Sequence, residues 1–313
     1  MSAAGRAAPA SEPLAELRDA GKRFGATTAL DGVTLAVGAG ETVGLLGPNG
    51  AGKSTLLSLL QGLRAPTSGE VRLFGGDPAD ARSRIRLGCT PQETGLPATL
   101  RVGEVVDLVG AHFPDPVPTA ELAHRFGFAD LLRRQTGGLS GGQRRRVSVA
   151  LAFVGRPRLV LLDEPTTGLD VDARHALWEA LRRERAAGTT LVVTSHHLEE
   201  IEVLAERVVV VDGGRVLVDD LLERVLARVA SKRVTLAVPA GTPVDGLAGV
   251  LRADRVDADH PDGWEALALA VHDSDAFVRD LVASRVPFRD LAVRGASLEE
   301  AFLALTAERT DAA

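Results

Sequence analysis

Cysteine, lysine and long apolar runs are what this chain of 313 residues has little of. Its one cysteine, Cys89, excludes an internal disulfide and fits a reducing compartment; it reads as a small buried residue. The neighbouring His196 and His197 diverge in direction, and no cysteine or third histidine stands at ligand spacing beside them, which argues against a zinc centre. No apolar run reaches the about 18 residues needed to span a bilayer. Residues 1–13 are rich in Ala and Pro without the apolar core of a signal peptide, and read as a disordered tail. The formal net charge of −6 argues against nonspecific nucleic-acid binding. Internal repeats are absent. What is present, 45% hydrophobic and 25% charged residues, suits a globular chain of about two domains.

The lysine scarcity is informative. Lys22, Lys53 and Lys232 are the only lysines among 36 basic residues. Lys53 falls in Gly47-Pro48-Asn49-Gly50-Ala51-Gly52-Lys53-Ser54-Thr55, after an apolar run (Thr42–Leu46) read as a buried strand and before a helix beginning at Leu56. Strand, glycine-rich loop and helix form the context of a phosphate-binding P-loop. Glycines let backbone N–H groups close around phosphate oxygens, and the helix start adds partial positive charge. A compact ammonium suits the β- and γ-phosphates where a guanidinium fork does not. The Ser54 hydroxyl is placed to bind Mg²⁺.

Ahead of the loop, 14–18 and 33–37 read as strands. Phe24, between them, is either a base-stacking aromatic or an ordinary packed Phe. Strands are also expected over 69–74 and 87–90, with a short helix from Asp77 to about Arg86. Gln92 follows in a loop and offers a carbonyl oxygen to Mg²⁺ or water. Over 100–134 the apolar residues Val102, Val105, Val106 and Val109 keep helical spacing, and Pro114, Pro116 and Pro118 divide the stretch into two helical pieces.

Leu139-Ser140-Gly141-Gly142-Gln143 offers a helix cap at Ser140 and exposed first-turn amides at Gly141 and Gly142, a second anion site. The Arg144-Arg145-Arg146 run that follows reads as a solvated or partner-facing surface. Leu159-Val160-Leu161-Leu162-Asp163-Glu164 is an apolar strand ending in two carboxylates. Alternation along a strand sends Asp163 and Glu164 to opposite sides, one toward Mg²⁺ and one toward water. The turn Thr166–Asp170 leads into a helix over 171–187. A strand over 189–194 delivers Ser195 and His196 at its carboxyl end, where parallel sheets gather functional groups. A hairpin over 207–218 follows. Beyond about 221 the composition shifts. Strands over 233–238, 266–271 and 288–293 and helices over 274–284 and 297–307 suggest a small α+β domain of ferredoxin-like type, with no catalytic constellation.

This order of motifs resembles the nucleotide-binding subunit of an ABC transporter over about 14–220. The Leu139–Gln143 motif is the most specific part, since it separates this family from other P-loop ATPases. The resemblance implies an α/β P-loop NTPase fold. It would have a mainly parallel core sheet, antiparallel N-terminal strands and a helical subdomain over about 93–155, followed by an accessory α+β domain over 221–313. It assigns Phe24 to adenine stacking, Gly47–Thr55 to the phosphates and Ser54, Gln92 and Asp163 to Mg²⁺. Glu164 becomes the catalytic carboxylate, His196 the switch histidine, and Ser140, Gly141, Gly142, Gln143 and Asp170 complete the ATP site across a head-to-tail homodimer or heterodimer. Many relatives carry Tyr where this chain has Phe24, so a hydroxyl contact is lost. The C-terminal stretch Ser297–Thr306 is similar to bacterial drug-exporter ATPase subunits. Expected partners are a separate transmembrane permease, met by the segment 92–134, and no nucleic acid. The expected location is cytoplasmic, on the inner face of the membrane. The alternative, a soluble ABC ATPase acting on DNA or ribosomes, lacks the long coiled coil or second ATPase half that such proteins carry.

Overall fold

The structure is a computed structural model that describes residues 12–90, 95–228, 232–244, 249–256, 263–295 and 297–301. These fall into two compact units, the first ending at Leu221 and the second beginning at Leu222.

The first unit is built on two sheets. Strands β1 (Ala15–Phe24), β2 (Thr27–Val37) and β4 (Ser68–Leu73) form an antiparallel sheet in the order β2-β1-β4. β3 (Thr42–Leu46), β5 (Leu87–Thr90), β6 (Leu159–Asp163), β7 (Thr190–Thr194), β8 (Arg207–Asp212) and β9 (Arg215–Leu221) form the larger sheet in the order β5-β6-β7-β3-β8-β9. Its first five strands are parallel, and β9 pairs antiparallel with β8. β3 and β7 are buried at every residue. Their continuous apolar or β-branched sequences are what a strand covered on both faces requires. Helix α1 (Lys53–Leu60) packs between the sheets: Leu56, Leu57 and Leu60 join Leu17, Leu35, Leu45, Leu161 and Val209 in one core. The first two strands are longer than the residue pattern predicts. β1 runs through Lys22 to Phe24 because its bulged pairing with β2 continues past Ala20.

Between β5 and β6 lies a helical insertion. α2 (Ala81–Arg84) precedes β5 and is shorter than the helix expected from Asp77. α3 (Val102–Gly110) buries Val102, Val105 and Val106, and α4 (Thr119–Arg125) starts after the three prolines. α5 (Gly141–Leu151) closes the insertion. Phe126 and Phe153 pack their rings 4.9 Å apart. After β6 come α6 (Val171–Ala186) and α7 (Leu198–Leu204); α7 is not among the elements expected from the residue pattern. It lies close on β3, where a Cβ built at Gly44 would stand 2.4 Å from Ile201 Cγ2.

The second unit opens with α8 (Leu222–Arg228) and holds β10 (Lys232–Pro239), β11 (Val250–Val256), β12 (Trp264–Val271), α9 (Ser274–Ala283) and β13 (Arg289–Arg294). The antiparallel order β11-β12-β10-β13 is the 4-1-3-2 order of a ferredoxin-like sheet read from its other edge. β11 has no alternating pattern to mark it: five of its seven residues are exposed and three are charged. Phe277 and Leu281 of α9 pack on Val234, Leu236 and Leu269. Ser297 and Glu300 exchange the two hydrogen bonds of a capping box; the rest of the helix expected over 297–307 lies outside the described residues. Among the described residues no helix is long and apolar enough to cross a membrane.

The close contact of α7 with β3 generates a first prediction. Gly44→Ala should force Ile201 aside and lower stability by about 1–3 kcal/mol, the usual cost of overpacking. Urea unfolding followed by tryptophan fluorescence measures it. An unchanged midpoint would mean that α7 shifts without cost.

Candidate functional site

The carboxyl edge of the large sheet carries the chemistry. There β3 delivers the loop 47–52, β6 delivers Asp163 and Glu164, and β7 delivers Ser195 and His196.

The glycine loop is shaped by close backbone approach. A Cβ at Gly47 would stand 2.1 Å from the Val211 carbonyl oxygen, and Gly47 has φ 154°. Gly52 caps α1 with φ 108° and no side-chain hydrogen bond, and the first turn of the helix holds no acid. The amides of that turn therefore keep their affinity for an anion. Lys53 folds back over the loop and donates from Nζ to the carbonyls of Gly47 (2.6 Å) and Pro48 (3.0 Å). Burial lowers its pKa, against the opposing pull of Glu164 and Asp163. The lysine therefore lies within electrostatic reach of both carboxylates. Asn49, Gly50 and Ser54 are exposed, while Ala51 is buried and Thr55 half-buried.

Asp163 is the last residue of β6. Its Oδ1 accepts from Thr194 Oγ1 at 2.5 Å, and its N–H donates to Thr90 Oγ1 at 3.1 Å. Glu164 lies beyond the strand with φ 49°, in the left-handed region that costs a non-glycine residue about 1–3 kcal/mol. The two carboxylates are thus separated by a backbone reversal at Glu164 and not by strand alternation, which corrects the basis of that expectation. The Glu164 N–H donates to Thr194 O and Oγ1, each at 3.1 Å. Its Oε2 accepts from Thr167 Oγ1 at 3.2 Å and lies 3.3 Å from His196 Nδ1. His196 is exposed, with its ring 4.0 Å from that of His197, so the two side chains lie together and do not diverge as expected for neighbours. Among the described residues no group of three His, Cys, Asp or Glu is arranged to hold a metal.

The second anion element has its predicted cap. Ser140 Oγ accepts from Gln143 N at 3.2 Å, and Gln143 Oε1 accepts from Ser140 N at 3.1 Å. Gly141 is exposed, and Gly142 faces Leu169 and Gly168, with space for only a tight Cβ. Asp170 caps α6 by accepting from Ala173 N at 2.8 Å. Phe24, 40% exposed, has the Lys22 ammonium 5.4 Å and the Arg64 guanidinium 4.9 Å from its ring centre. Gln92 lies outside the described residues.

Three residues went unread in the sequence. Arg145, in a run whose composition predicts surface, is 5% exposed and donates to the carbonyls of Asp163, Glu164 (2.7 Å) and Pro165 (3.2 Å). Burial lowers its pKa, against Asp163, Glu164 and Glu200. The residue spacing held one usable signal: position 145 shares a helix face with the buried Val149. Thr194 carries no sequence signal beyond its β-branched, strand-forming side chain. Glu200, 0% exposed, accepts from Thr166 Oγ1 (3.0 Å) and Trp178 Nε1 (3.2 Å). It stands behind the turn after β6, and burial raises its pKa, partly offset by bonds from Ser195, Thr166 and Trp178.

Comparison with known proteins follows the same lines. A family model described as ABC transporter matches residues 30–167. The daunorubicin resistance ATP-binding protein DrrA3 of Streptomyces coeruleorubidus is 34% identical over 303 residues, covering 92% of this chain and 94% of that protein. The Nod factor export ATP-binding protein I of Ralstonia nicotianae is 40% identical over 212 residues, 66% of each chain. Among solved structures, an ATP-binding subunit of an ABC transporter superposes with TM-score 0.62 at 29% identity, over 69% of this chain and 92% of that one. An ATP-binding cassette in a dimeric post-hydrolysis state with ADP and Pi gives TM-score 0.61 at 27% identity, over 66% and 98%.

The buried Glu200 generates a prediction with a defined sign. Its folded-state pKa is raised, so between its ordinary value and the raised one the folded chain binds more protons than the unfolded chain. Stability from this group is therefore fully present below about pH 4.5 and declines as pH rises above it. Glu200→Gln removes that slope, so the wild type should lose stability relative to the variant across this interval. Glu200→Leu leaves the Trp178 and Thr166 donors unsatisfied and should cost about 1–3 kcal/mol for each. Thermal melts from pH 4 upward measure both. Parallel pH curves for wild type and Glu200→Gln would show that Glu200 does not titrate in this way.

Proposed function

This chain belongs to the ABC transporter ATP-binding family, and from that premise we propose how its residues bind and hydrolyse ATP and with what they assemble. The family is one of ATPases, and the chain is an ATP-binding subunit of it. The observation that carries the residue assignments is the meeting of Lys53, Asp163, Glu164 and His196 at the ends of three neighbouring parallel strands.

Gly47–Thr55 cradle the triphosphate, with Lys53 exchanging its carbonyl partners for β- and γ-phosphate oxygens, and Phe24 stacks on adenine. The fit to Mg²⁺ rests on donor chemistry. The Ser54 hydroxyl is exposed, and the Asp163 carboxylate is held through one oxygen by Thr194; both are hard oxygen donors of the kind Mg²⁺ takes. Gln92 is a third proposed donor. When bound, Mg²⁺ would neutralise charge on the phosphates. Glu164 accepts a proton from the attacking water, and His196, 3.3 Å from it, contacts the γ-phosphate and keeps the carboxylate aimed.

The chain has two anion-binding elements and one P-loop lysine. Two ATPase subunits, identical or related, therefore pair head to tail, so that Ser140–Gln143 and Asp170 of each complete the ATP site of the other. The dimeric state of a neighbour supports pairing of two ATPase subunits. The names of the relatives, one in drug resistance and one in export, support export through a separate transmembrane permease at the inner face of the membrane. We assign 14–220 to the ATPase domain, with its helical subdomain toward the permease, and 221–313 to an accessory domain.

Two outcomes test this. Glu164→Gln keeps shape and hydrogen bonding but removes the proton acceptor, so single-turnover hydrolysis should fall by about 10²–10⁴-fold while ATP binding persists; Asp163→Asn should instead weaken Mg²⁺-dependent binding. Hydrolysis by Glu164→Gln at the wild-type rate would sink the carboxylate assignment. For the composite site, Lys53→Ala chains mixed with Ser140→Arg chains should recover one intact site per mixed dimer. Size-exclusion chromatography with ATP reads it, and no more dimer than either variant forms alone means that two copies of this chain do not pair head to tail.

A further inference from the structure

We infer that Arg145 is the positioning residue that fixes the catalytic carboxylate to the helix carrying the Ser140–Gln143 motif. The inference rests on the assignment of Glu164 as proton acceptor.

Its basis is the backbone at the end of β6. Successive carbonyls of an extended strand point to opposite edges, so one side chain cannot reach three in a row. Here the left-handed Glu164 (φ 49°) breaks the alternation. The carbonyls of Asp163, Glu164 and Pro165 then converge on a single guanidinium. The planar fork with five donors can satisfy three carbonyl oxygens at once, which an ammonium on a flexible stem does less well. Arg145 is therefore matched to the reversed form of this backbone and to no extended one. It is buried, and its cation stands near Asp163, Glu164 and Glu200.

The other end of the link is the start of α5. Ser140 caps that helix five residues before Arg145. Gly142 lies against Leu169 and Gly168, so the helix touches the segment after β6 at a second point. A displacement of the Ser140–Gln143 loop is thereby carried to Glu164 within one chain. In the proposed dimer, seating this loop on the partner's ATP would set the carboxylate that acts on the chain's own ATP.

Arg145→Lys and Arg145→Gln in the full chain test this. Each should lower single-turnover hydrolysis at least 10-fold, with the Kd for a fluorescent ATP analogue changed less than 2-fold, when assayed below the melting temperature of the variant. The same substitutions in the Glu164→Gln background should lose nothing further, because residues acting as a unit are not additive. A wild-type rate in the Arg145 variants, or an equal loss in both backgrounds, overturns the inference. A wild-type rate in Glu164→Gln alone instead overturns the proton-acceptor assignment. If neither Arg145 variant folds, hydrogen exchange of the unsubstituted chain decides. The amides of 141–147 and 164–168 should open together across a urea series, and independent opening of 164–168 overturns the link.

Discussion

The Thr194 hydroxyl is the contact on which the arrangement of the site depends. It donates to Asp163 Oδ1 and accepts from the Glu164 N–H, while its own carbonyl shares that N–H. A hydroxyl has one proton to give and lone pairs to receive, so this division is the one its chemistry permits. Thr194 ends β7 and Asp163 ends β6, paired in register. The ladder of two parallel strands thus finishes in a side-chain bond. The strand ends, the direction of the Asp163 carboxylate and the reversed backbone of Glu164 are fixed together, and the rest of the sheet serves to hold β6 and β7 in that register.

Much of this was legible because local chemistry and fold agree. The P-loop glycines need conformations that other residues avoid, the cap at Ser140 uses the one hydroxyl available, and the buried strands read as unbroken apolar runs. What escaped the residues depends on distant partners. Arg145 in a run of three arginines has only its i, i+4 spacing to Val149 as a local sign of burial; its carbonyl partners lie 18 to 20 residues away. Glu200 reads as one more acid in an acidic turn until Trp178 and Thr166 close over it. Thr194 looks like ordinary strand material because the residue it serves comes from another strand. The left-handed backbone at Glu164 is equally nonlocal, since the partners of its N–H and carbonyl, Thr194 and Arg145, are distant in sequence.

The second unit illustrates the complementary case. Its inward face is legible in β10, where Val234, Leu236 and Val238 recur at every second residue and are buried, with the small Ala237 buried on the other face. β11 carries Arg252, Asp254 and Arg255 between apolar residues that fall without a period of two, and Leu251 and Val256 are exposed; it is a strand because β12 pairs with it. An edge strand with such charges is protected from pairing with other chains, and the features that protect it also hide it from pattern reading.

Lys53 has a consequence of a different kind. Its ammonium rests on the carbonyls of Gly47 and Pro48, two oxygens of the very loop it would share with a phosphate. The loop thus carries an internal surrogate for its ligand. Phosphate arrival is an exchange of oxygen partners around one cation, and the net gain is the difference between two sets of hydrogen bonds, far smaller than the bare attraction of opposite charges. A cation satisfied in this way is matched to an incoming oxygen ligand by exchange, so the strength of the site is set by how well the new oxygens replace the two it gives up.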